Sequence, residues 1–281
     1  MTDRPIPATV QVLTRNSMPG IKRCLETLGN FAEVIVQDAY STDGTREEAE
    51  KFSNVRLMNQ NKAYLDVEGR ITHFSNMRNE SIKAAKFDWV FVVDGDEGIR
   101  PDMEAEVRAI IEQNVPGVYQ AFRRFVVDGE SIMHCCCYPN VQIRLFHRSQ
   151  VEQYEKPVHE RLKLKPGVAM QMLKTELPIP LPAAPELDAK YERYLRMEVK
   201  RLSVIPWSRW LKWVFFRNLK TIVGYTGRVI LYRITPRKGK IMPWAYEKQF
   251  IGHAWRTIWA TCPPAAARSL GRTQERVLLN N

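Results

Sequence analysis

The feature that most constrains the fold of this chain is the run Trp89–Val93 (WVFVV), which contains no polar side chain. A strand of this composition is buried on both faces, as is typical of parallel sheets covered by helices. Three further runs predict strands, at Ala8–Leu13, Glu33–Gln37 and Val55–Met58, and helical spacings of apolar residues lie between the strands, at Pro19–Leu28 and Asn76–Ala85. The alternation predicts an α/β fold with a mainly parallel sheet and helices on both faces.

Composition narrows the class of protein further. With 281 residues, 44% of them apolar and 26% charged, the chain is expected to be globular and not disordered or fibrous. The sequence contains no run of about 18 uncharged apolar residues, so no membrane-spanning helix is expected. The first residues do not contain the apolar segment of a secretory signal. The five cysteines form no CxxC pair, which argues against a disulfide framework and a structural zinc site. The triplet Cys135–Cys137 predicts small buried side chains. The cysteine usage fits a reducing, cytoplasmic compartment best.

The chain changes character near a proline-rich segment, Leu177–Pro185 (LPIPLPAAP), which predicts an extended connector. From Glu186 onwards there are 19 Lys and Arg against 6 Asp and Glu, together with six of the seven Trp residues. All of the excess positive charge of +11 therefore lies after the connector. The sequence predicts an α/β domain over residues 1–176, a connector over 177–185 and a basic helical region over 186–281.

Acidic residues follow two of the predicted strands. Asp38 and Asp43 follow the second strand, and Asp94 and Asp96 flank Gly95 after the fourth. Ligands of parallel sheets bind at the carboxyl ends of the strands, so these are candidate binding residues. Two carboxylates around a glycine suit a divalent cation such as Mg²⁺ or Mn²⁺ that holds a diphosphate. The alternative interpretation is a solvated acidic turn, because a D-x-D pattern is short.

A histidine and a carboxylate stand side by side in the segment Lys156–Leu162, after the run Val141–His147 (VQIRLFH). Glu160 could supply a general base, and His159 could supply a second polar contact to a metal ion or phosphate. The alternative for His159 is an ordinary surface histidine. Neither residue is diagnostic by itself, so the interpretation depends on the order of the segments along the chain.

Several segments in order carry a resemblance to a known family. They are Ser41–Thr45 (STDGT), Phe74–Asn79 (FSNMRN), Asp88–Trp89 leading into Asp94–Glu97 (DGDE), and Val158–Glu160 (VHE). This ordered set resembles the family-2 glycosyltransferases of the GT-A fold, over about Thr9–Leu162. Within that family the chain looks most like the bacterial lipopolysaccharide-core β-1,4-glucosyltransferases.

The resemblance implies that five residues bind the donor, a nucleotide-diphosphate sugar. Asp38 would contact the nucleotide base, with Asp43 shaping the loop beneath it. Arg78 would face the nucleotide and its phosphates, and Asn79 would help to fix that turn. Asp94 would hydrogen-bond the ribose or reach a metal ion through water. A UDP-sugar is the expected donor, but the loop after Asp38 departs from the usual family sequence and leaves the base open.

The resemblance also implies a metal site and a catalytic base. Asp96 would be the direct ligand of Mg²⁺ or Mn²⁺, with His159 as a second contact near the diphosphate. Glu160 would take the proton from the acceptor hydroxyl. The implied reaction is inverting, a single in-line displacement at the anomeric carbon without a covalent intermediate. The implied acceptor is a lipid-linked or lipopolysaccharide-type glycan.

The basic C-terminal region predicts a helix over Tyr191–Leu202 and a second helix that begins at Pro206. In the second helix the basic residues fall on one side and most apolar residues on the other. Such a helix is built to lie in a bilayer interface, here the anionic inner face of the cell membrane. The residues predicted to contact the membrane are Trp207, Arg209, Trp210, Lys212 and Lys220. The alternative is that the apolar side packs on protein and the charges are solvated.

Other functions remain open from the residues alone. A nucleotidyltransferase with a similar sheet is disfavoured, because Leu13–Gly20 is not a glycine-rich, basic phosphate loop. A non-catalytic, membrane-bound adaptor would keep the same fold. Nucleic-acid binding by the basic region would leave the acidic loops unexplained, so no nucleic-acid partner is expected.

Overall fold

A computed structural model of the chain describes residues 4–157, 160–202 and 205–263. The described residues divide into two compact units. The first unit contains the chain up to Arg124 together with Pro139–Pro180, and the second contains Phe125–Tyr138 together with the chain from Leu181. This division differs from the predicted domains, because the segment Phe125–Tyr138 was expected in the first domain and belongs to the second unit.

The elements follow the apolar patterns of the sequence. The strands are β1 (Ile6–Thr14), β2 (Phe31–Asp38), β3 (Val55–Asn59), β4 (Trp89–Asp94), β5 (Val118–Val127), β6 (Glu130–His134), β7 (Val141–His147), β8 (Val151–Glu155), β9 (Arg161–Leu164), β10 (Met170–Pro180) and β11 (Lys240–Ile241). The helices are α1 (Gly20–Glu26), α2 (Thr45–Ala49), α3 (Phe74–Ala84), α4 (Pro101–Glu112), α5 (Ala184–Leu202), α6 (Trp207–Trp210), α7 (Phe216–Ile234) and α8 (Trp244–Thr261). A π-helical turn, Leu211–Phe215, joins α6 to α7.

The first unit is built around β1, which pairs in parallel with β2 on one side and β4 on the other. Strand β3 extends this parallel part beside β2, whereas β7 is antiparallel to β4 and β5 is antiparallel to β7. Thr14 at the end of β1 pairs with Asp38, and Leu13 pairs with Asp94. The predicted α/β fold with a mostly parallel central sheet is confirmed, and the register brings the carboxyl ends of β1, β2 and β4 together.

The core explains why these segments form a sheet between helices. Strand β4 is buried from Trp89 to Val93, and the ring of Phe91 stacks on that of Phe31 with centroids 5.7 Å apart. Helix α1 buries Ile21, Cys24 and Leu25, a spacing of three and four residues that forms one helical face. Helices α3 and α4 both contact β1, so helices cover this central strand of the sheet.

The second unit consists mainly of helices, with α8 in contact with both α5 and α7. One core cluster contains Leu202, Trp210, Val214 and Ile258. Trp210 is 4% exposed, and its indole N–H donates to Thr261 Oγ1 at 3.1 Å. The expectation that Trp210 contacts a membrane is therefore corrected: this side chain belongs to the core of the second unit.

The proline-rich segment is divided between a strand and the start of a helix. Residues from Leu177 to Pro180 end β10, Leu177 is fully buried, and α5 begins at Ala184. The predicted connector is thus shorter than the segment Leu177–Pro185. Among the described residues, no helix combines the length and the apolar character needed to cross a bilayer.

Candidate functional site

The candidate site lies in the first unit, at the edge of the sheet where β1, β2 and β4 end. The parallel register places Asp38 and Asp94 at this edge, each beside the end of β1. Helix α3 supplies Arg78, and Glu160 directly precedes β9. Residues far apart in the sequence therefore meet at one edge, as expected for the carboxyl ends of parallel strands.

Arg78 joins two of the predicted carboxylates. Its Nε donates to Glu160 Oε1 at 2.9 Å, its Nη2 donates to Asp94 Oδ1 at 3.2 Å, and its Nη1 donates to Gln11 Oε1 at 3.2 Å. Gln11 in turn donates to the backbone oxygen of Arg78 at 2.8 Å. Arg78 was expected to face the nucleotide. In the structure all three of its side-chain nitrogens have protein acceptors, so it orients Glu160 and Asp94.

The charges of this network reinforce one another. Arg78 is buried, and burial alone would lower the pKa of its guanidinium, but the carboxylates of Glu160 and Asp94 outweigh burial and raise that pKa. Burial likewise works to raise the pKa of Asp94, but Arg144 and Arg78 outweigh it and hold the pKa of Asp94 below its usual range. Asp94 therefore stays ionised at neutral pH, although it is only partly exposed.

A second buried ion pair supports the loop after β4. Arg144 on β7 is fully buried; its Nη2 donates to Glu97 Oε1 at 2.8 Å and its Nη1 to the Val92 oxygen at 3.1 Å. Glu97 Oε2 accepts from the backbone N–H of Asp94 at 3.1 Å. Burial and then the Asp94 carboxylate raise the pKa of Glu97 to about 7, because Arg144 and Arg123 only partly offset them. Glu97 and Arg144 thus fix the turn that carries Asp94.

Asp96 differs from its neighbours because it is exposed and takes part in none of the hydrogen bonds or ion pairs that the described residues form. The preceding Gly95 packs closely on the end of β1, where a Cβ atom would lie 3.4 Å from the backbone oxygen of Leu13. A Cβ on Gly20 would lie 3.4 Å from the Asp96 Cα. Both glycines let the turn sit against β1 and α1, and the turn presents a free carboxylate.

The donor set fits a hard divalent cation. Mg²⁺ is held in proteins by one or two carboxylates together with substrate phosphates. Asp96 offers an unpaired carboxylate, and Asp94 Oδ2 lies 3.8 Å from the nearest guanidinium nitrogen of Arg144. His159, the other predicted metal contact, lies outside the described residues.

Asp38 and Asp43 have local hydrogen-bond partners. Asp38 is fully buried. It accepts hydrogen bonds from the backbone N–H and the hydroxyl of Ser41, and it forms an ion pair with Arg46 Nη1 at 3.0 Å. Asp43 accepts from the Met18 N–H at 2.9 Å and from the hydroxyl of Thr45 at 2.6 Å. Burial, the largest influence, works to raise the pKa of Asp43, but these hydrogen bonds outweigh it and lower that pKa. Asp43 therefore ties the loop after β1 to the loop after β2.

Asn79 holds the strand that precedes Glu160. Its side-chain amide donates to the Tyr154 oxygen at 3.0 Å and accepts from the Tyr154 N–H at 2.7 Å. The guanidinium of Arg78 lies 5.8 Å from the centre of the Tyr154 ring. Asn79 thus acts on β8 in the structure, because both its amide nitrogen and its amide oxygen bind the backbone of Tyr154.

The sequence matches the model of the family described as glycosyl transferase family 2 over residues 9–160, which is more than half of the chain. The chain belongs to glycosyl transferase family 2. The match begins in β1 and ends at Glu160, so it contains every described residue of the candidate site. The chain is therefore a glycosyltransferase of family 2, and the predicted family is confirmed at this level.

Solved structures similar to this glycosyltransferase include those of the S. aureus protein TarS. Residues 1–349 of TarS in complex with UDP-GlcNAc show 13% identity, a TM-score of 0.44 and coverage of 90% of each chain. The same TarS fragment in complex with UDP shows 14% identity, a TM-score of 0.45 and the same coverage. A longer TarS structure shows 16% identity and a TM-score of 0.43, with 90% of this chain and 55% of that chain covered.

Three residues of the glycosyltransferase site were missed from the sequence: Gln11, Glu97 and Arg144. Gln11 and Arg144 each lie within a mostly apolar strand, and both are fully buried. A charged or amide side chain inside a buried strand requires a partner, so this position is itself a signal. The partners could not be named from the sequence, because Arg144 pairs with Glu97 across the antiparallel contact of β7 with β4.

We predict that Arg144→Met lowers the free energy of unfolding by about 3–5 kcal/mol, because the substitution leaves Glu97 as a buried carboxylate without its nearest cation. The deficit should shrink as pH falls from about 8 to about 5, since protonation then removes the uncompensated charge. Urea unfolding at both pH values measures the effect.

The matched control for this variant is Arg100→Met, which breaks the exposed ion pair of Arg100 with Asp102. That change should lower the free energy of unfolding by less than about 1 kcal/mol and show little dependence on pH. Equal losses in the two variants would contradict a special role for the buried pair.

Proposed function

We propose that this glycosyltransferase moves a sugar from a nucleotide-diphosphate sugar, with a UDP-sugar as the expected donor, to a lipid-linked or lipopolysaccharide-type acceptor with inversion. The observation that carries the proposal is the arrangement of three carboxylates at the carboxyl edge of the sheet. Glu160 and Asp94 are oriented by Arg78, and Asp96 on the same turn as Asp94 is exposed and unpaired among the described residues. The lipopolysaccharide-core subtype rests on the resemblance in sequence.

Glu160 has the properties of a general base in the proposed reaction. Its Oε1 accepts the hydrogen bond from Arg78, whereas no hydrogen bond of the described residues uses Oε2. The ion pair fixes the side chain, and the second oxygen can accept the proton of the acceptor hydroxyl as the hydroxyl attacks the anomeric carbon. The bond from that carbon to the diphosphate breaks in the same displacement, and the nucleoside diphosphate leaves.

Asp96 and Asp94 would hold Mg²⁺ or Mn²⁺ at the diphosphate, and the bound cation would neutralise charge that develops on the leaving oxygens. Asp38 lies at the end of β2 on the same edge, next to the loop that Asp43 ties down. This placement supports contact of that loop with the nucleotide. We place Asn79 and Arg78 in positioning roles, because their polar atoms already have protein partners.

We further propose that the second unit binds an anionic membrane surface on the cytoplasmic side. Trp207, Trp213 and Phe216 are exposed, and so are Arg209, Lys212, Arg217 and Lys220. Part of the apolar side of this segment packs on protein, because Val214 is buried and Ile222 packs on the core cluster. The exposed side mixes aromatic and basic residues, a combination suited to a bilayer interface. Attachment there would raise the effective concentration of a lipid-linked acceptor.

We predict that Asp96→Ala reduces the Mn²⁺-dependent release of nucleoside diphosphate from a nucleotide sugar by about 100-fold or more, because the direct cation ligand is lost. The purified chain is incubated with a panel of UDP- and other nucleotide sugars, with and without Mn²⁺, and the free diphosphate is measured. The matched control is Asp102→Ala, which removes an exposed carboxylate of α4 and should leave release unchanged. A wild-type chain that releases no diphosphate from any donor would support a non-catalytic adaptor instead.

We predict that Glu160→Gln lowers turnover by about 10²- to 10⁴-fold while donor binding stays nearly unchanged. The amide oxygen can still accept from Arg78, so the site should keep its geometry and lose only the base. Turnover is measured as donor hydrolysis or transfer, and binding by calorimetry with the intact donor. Glu155→Gln, at an exposed position of β8, is the control and should alter neither. Equal loss of binding and turnover in Glu160→Gln would remove Glu160 from the role of base.

We predict that reversing the charge of Arg209, Lys212 and Lys220 to Glu releases the protein from vesicles that contain an anionic phospholipid. Each basic residue near such a surface contributes about 1 kcal/mol, so the combined change should abolish cosedimentation at physiological salt. The control reverses three exposed lysines of the first unit, Lys22, Lys83 and Lys165. Unchanged sedimentation of the first variant, or equal loss in the control, would contradict a membrane-binding surface on the second unit.

A further inference from the structure

The second unit contains a cluster of thiols and one carboxylate that the proposed sugar transfer does not use. Cys135 and Cys136 follow β6 and are buried, and Glu247 on α8 is fully buried. The two Sγ atoms and a carboxylate oxygen of Glu247 all lie within 4.8 Å of one another. Cys137 Sγ lies 3.2 Å from Cys135 Sγ, so a third thiol stands beside the group.

Glu247 has hydrogen-bond donors but no basic partner. Its two oxygens accept from the Cys136 N–H at 3.3 and 3.2 Å, and the Tyr232 hydroxyl donates to its Oε1. None of the ion pairs formed by the described residues includes Glu247. The nearby Arg228 donates to the backbone oxygens of Cys136 and Tyr138 and not to the carboxylate. An ionised carboxylate buried without a counter-charge is costly, and a bound cation would offset that cost.

The ligand atoms are held by separate elements. Arg228 on α7 fixes the loop through its hydrogen bond to the Cys136 oxygen at 2.9 Å, and the Met242 N–H donates to the His134 oxygen at 2.9 Å. Glu247 comes from α8, which contacts α7. The thiols and the carboxylate are therefore brought together by the fold of the second unit before any ion binds.

We propose that Cys135, Cys136 and Glu247 form a binding site for a thiophilic divalent cation of the zinc class, with Cys137 as a further thiolate ligand. Zinc binds thiolate sulfur at about 2.3 Å and carboxylate oxygen at about 2.0–2.2 Å, so two ligands of one tetrahedral ion lie roughly 3.3–3.8 Å apart. The observed atoms need only small shifts to reach these separations. Binding replaces thiol protons, so one proton is released for each cysteine that becomes a thiolate ligand.

The site would be separate in chemistry from the carboxylates at the edge of the sheet. Oxygen ligands such as Asp96 suit Mg²⁺ or Mn²⁺, whereas thiolates select zinc-class ions. The second unit contains a cavity of about 160 Å³. Its lining includes Met133, His134 and Cys135, and residues of α7. This cavity gives an ion a route to Cys135. The expected consequence of binding is a stabilising link between the cysteine loop and α8.

The test uses the full-length chain, stripped with a chelator and then titrated with Zn²⁺ against a coloured competing chelator, and separately with Co²⁺. We expect one equivalent of Zn²⁺ per chain and a thiolate-to-cobalt charge-transfer band. Cys136→Ser and Glu247→Gln should each weaken Zn²⁺ binding by about 100-fold or more, because changes outside the ligand shell alone cost 10- to 100-fold. The matched control Cys262→Ser, at a half-buried thiol outside the cluster, should leave binding unchanged.

A measurement on the wild-type chain keeps the proposal testable where a variant fails to fold. Zn²⁺ should slow alkylation of Cys135 and Cys136, mapped by peptide mass, and should leave the rate at Cys262 unchanged. Equal alkylation with and without Zn²⁺, or the absence of a charge-transfer band, would overturn the site. Full Zn²⁺ affinity in a folded Glu247→Gln variant would remove Glu247 from the ligand set and overturn the proposed set. None of these readouts involves a sugar donor, so failure here leaves the proposed transferase activity untouched.

Discussion

The Arg78 guanidinium lies between two carboxylates that come from distant parts of the sequence, Asp94 at the end of β4 and Glu160 before β9. A buried ion pair stabilises little in net terms, but removal of one partner leaves an uncompensated charge, so the network persists only as a whole. Arginine suits this position because its planar group presents nitrogens in fixed directions to several acceptors at once. The geometry of the candidate base and of the acidic turn therefore depends on one side chain that need not touch the substrate.

The parallel part of the sheet was predictable from the sequence because burial on both faces leaves a direct mark, a run of apolar residues such as Trp89–Val93. Once the strands are parallel, the residues that follow them must share an edge, which is why Asp38 and Asp94 were identified without coordinates. The antiparallel half leaves no comparable mark. The pairing of Arg144 with Glu97 depends on β7 lying beside β4 in the sheet. These strands are not consecutive along the chain, so the sequence does not reveal that they are neighbours.

The helices after Pro206 show a different limit. Periodicity correctly separates an apolar side from a basic side, yet it contains no information on what covers the apolar side. In the structure Val214 packs with Trp210 and with Ile258 of α8, so protein covers part of that side. Trp213 and Phe216, which break the periodic pattern, are exposed, but so is Trp207, which follows the pattern. Exposure in this segment therefore depends on what packs against each position and not on the helical period alone.

Buried carboxylates in the first unit illustrate the rule that makes Glu247 unusual. Among the described residues of that unit, each buried carboxylate lies next to a basic side chain: Glu33 pairs with Arg56, Asp38 with Arg46, Glu48 with Lys51 and Glu97 with Arg144. Glu247 faces thiols and a hydroxyl instead. The sequence around Glu247 does not predict these partners, because Cys136 is more than a hundred residues earlier. Motif spacing detects metal sites whose ligands are close in the chain. A ligand set divided between a loop and a distant helix is found only by asking which buried charge lacks its counter-charge.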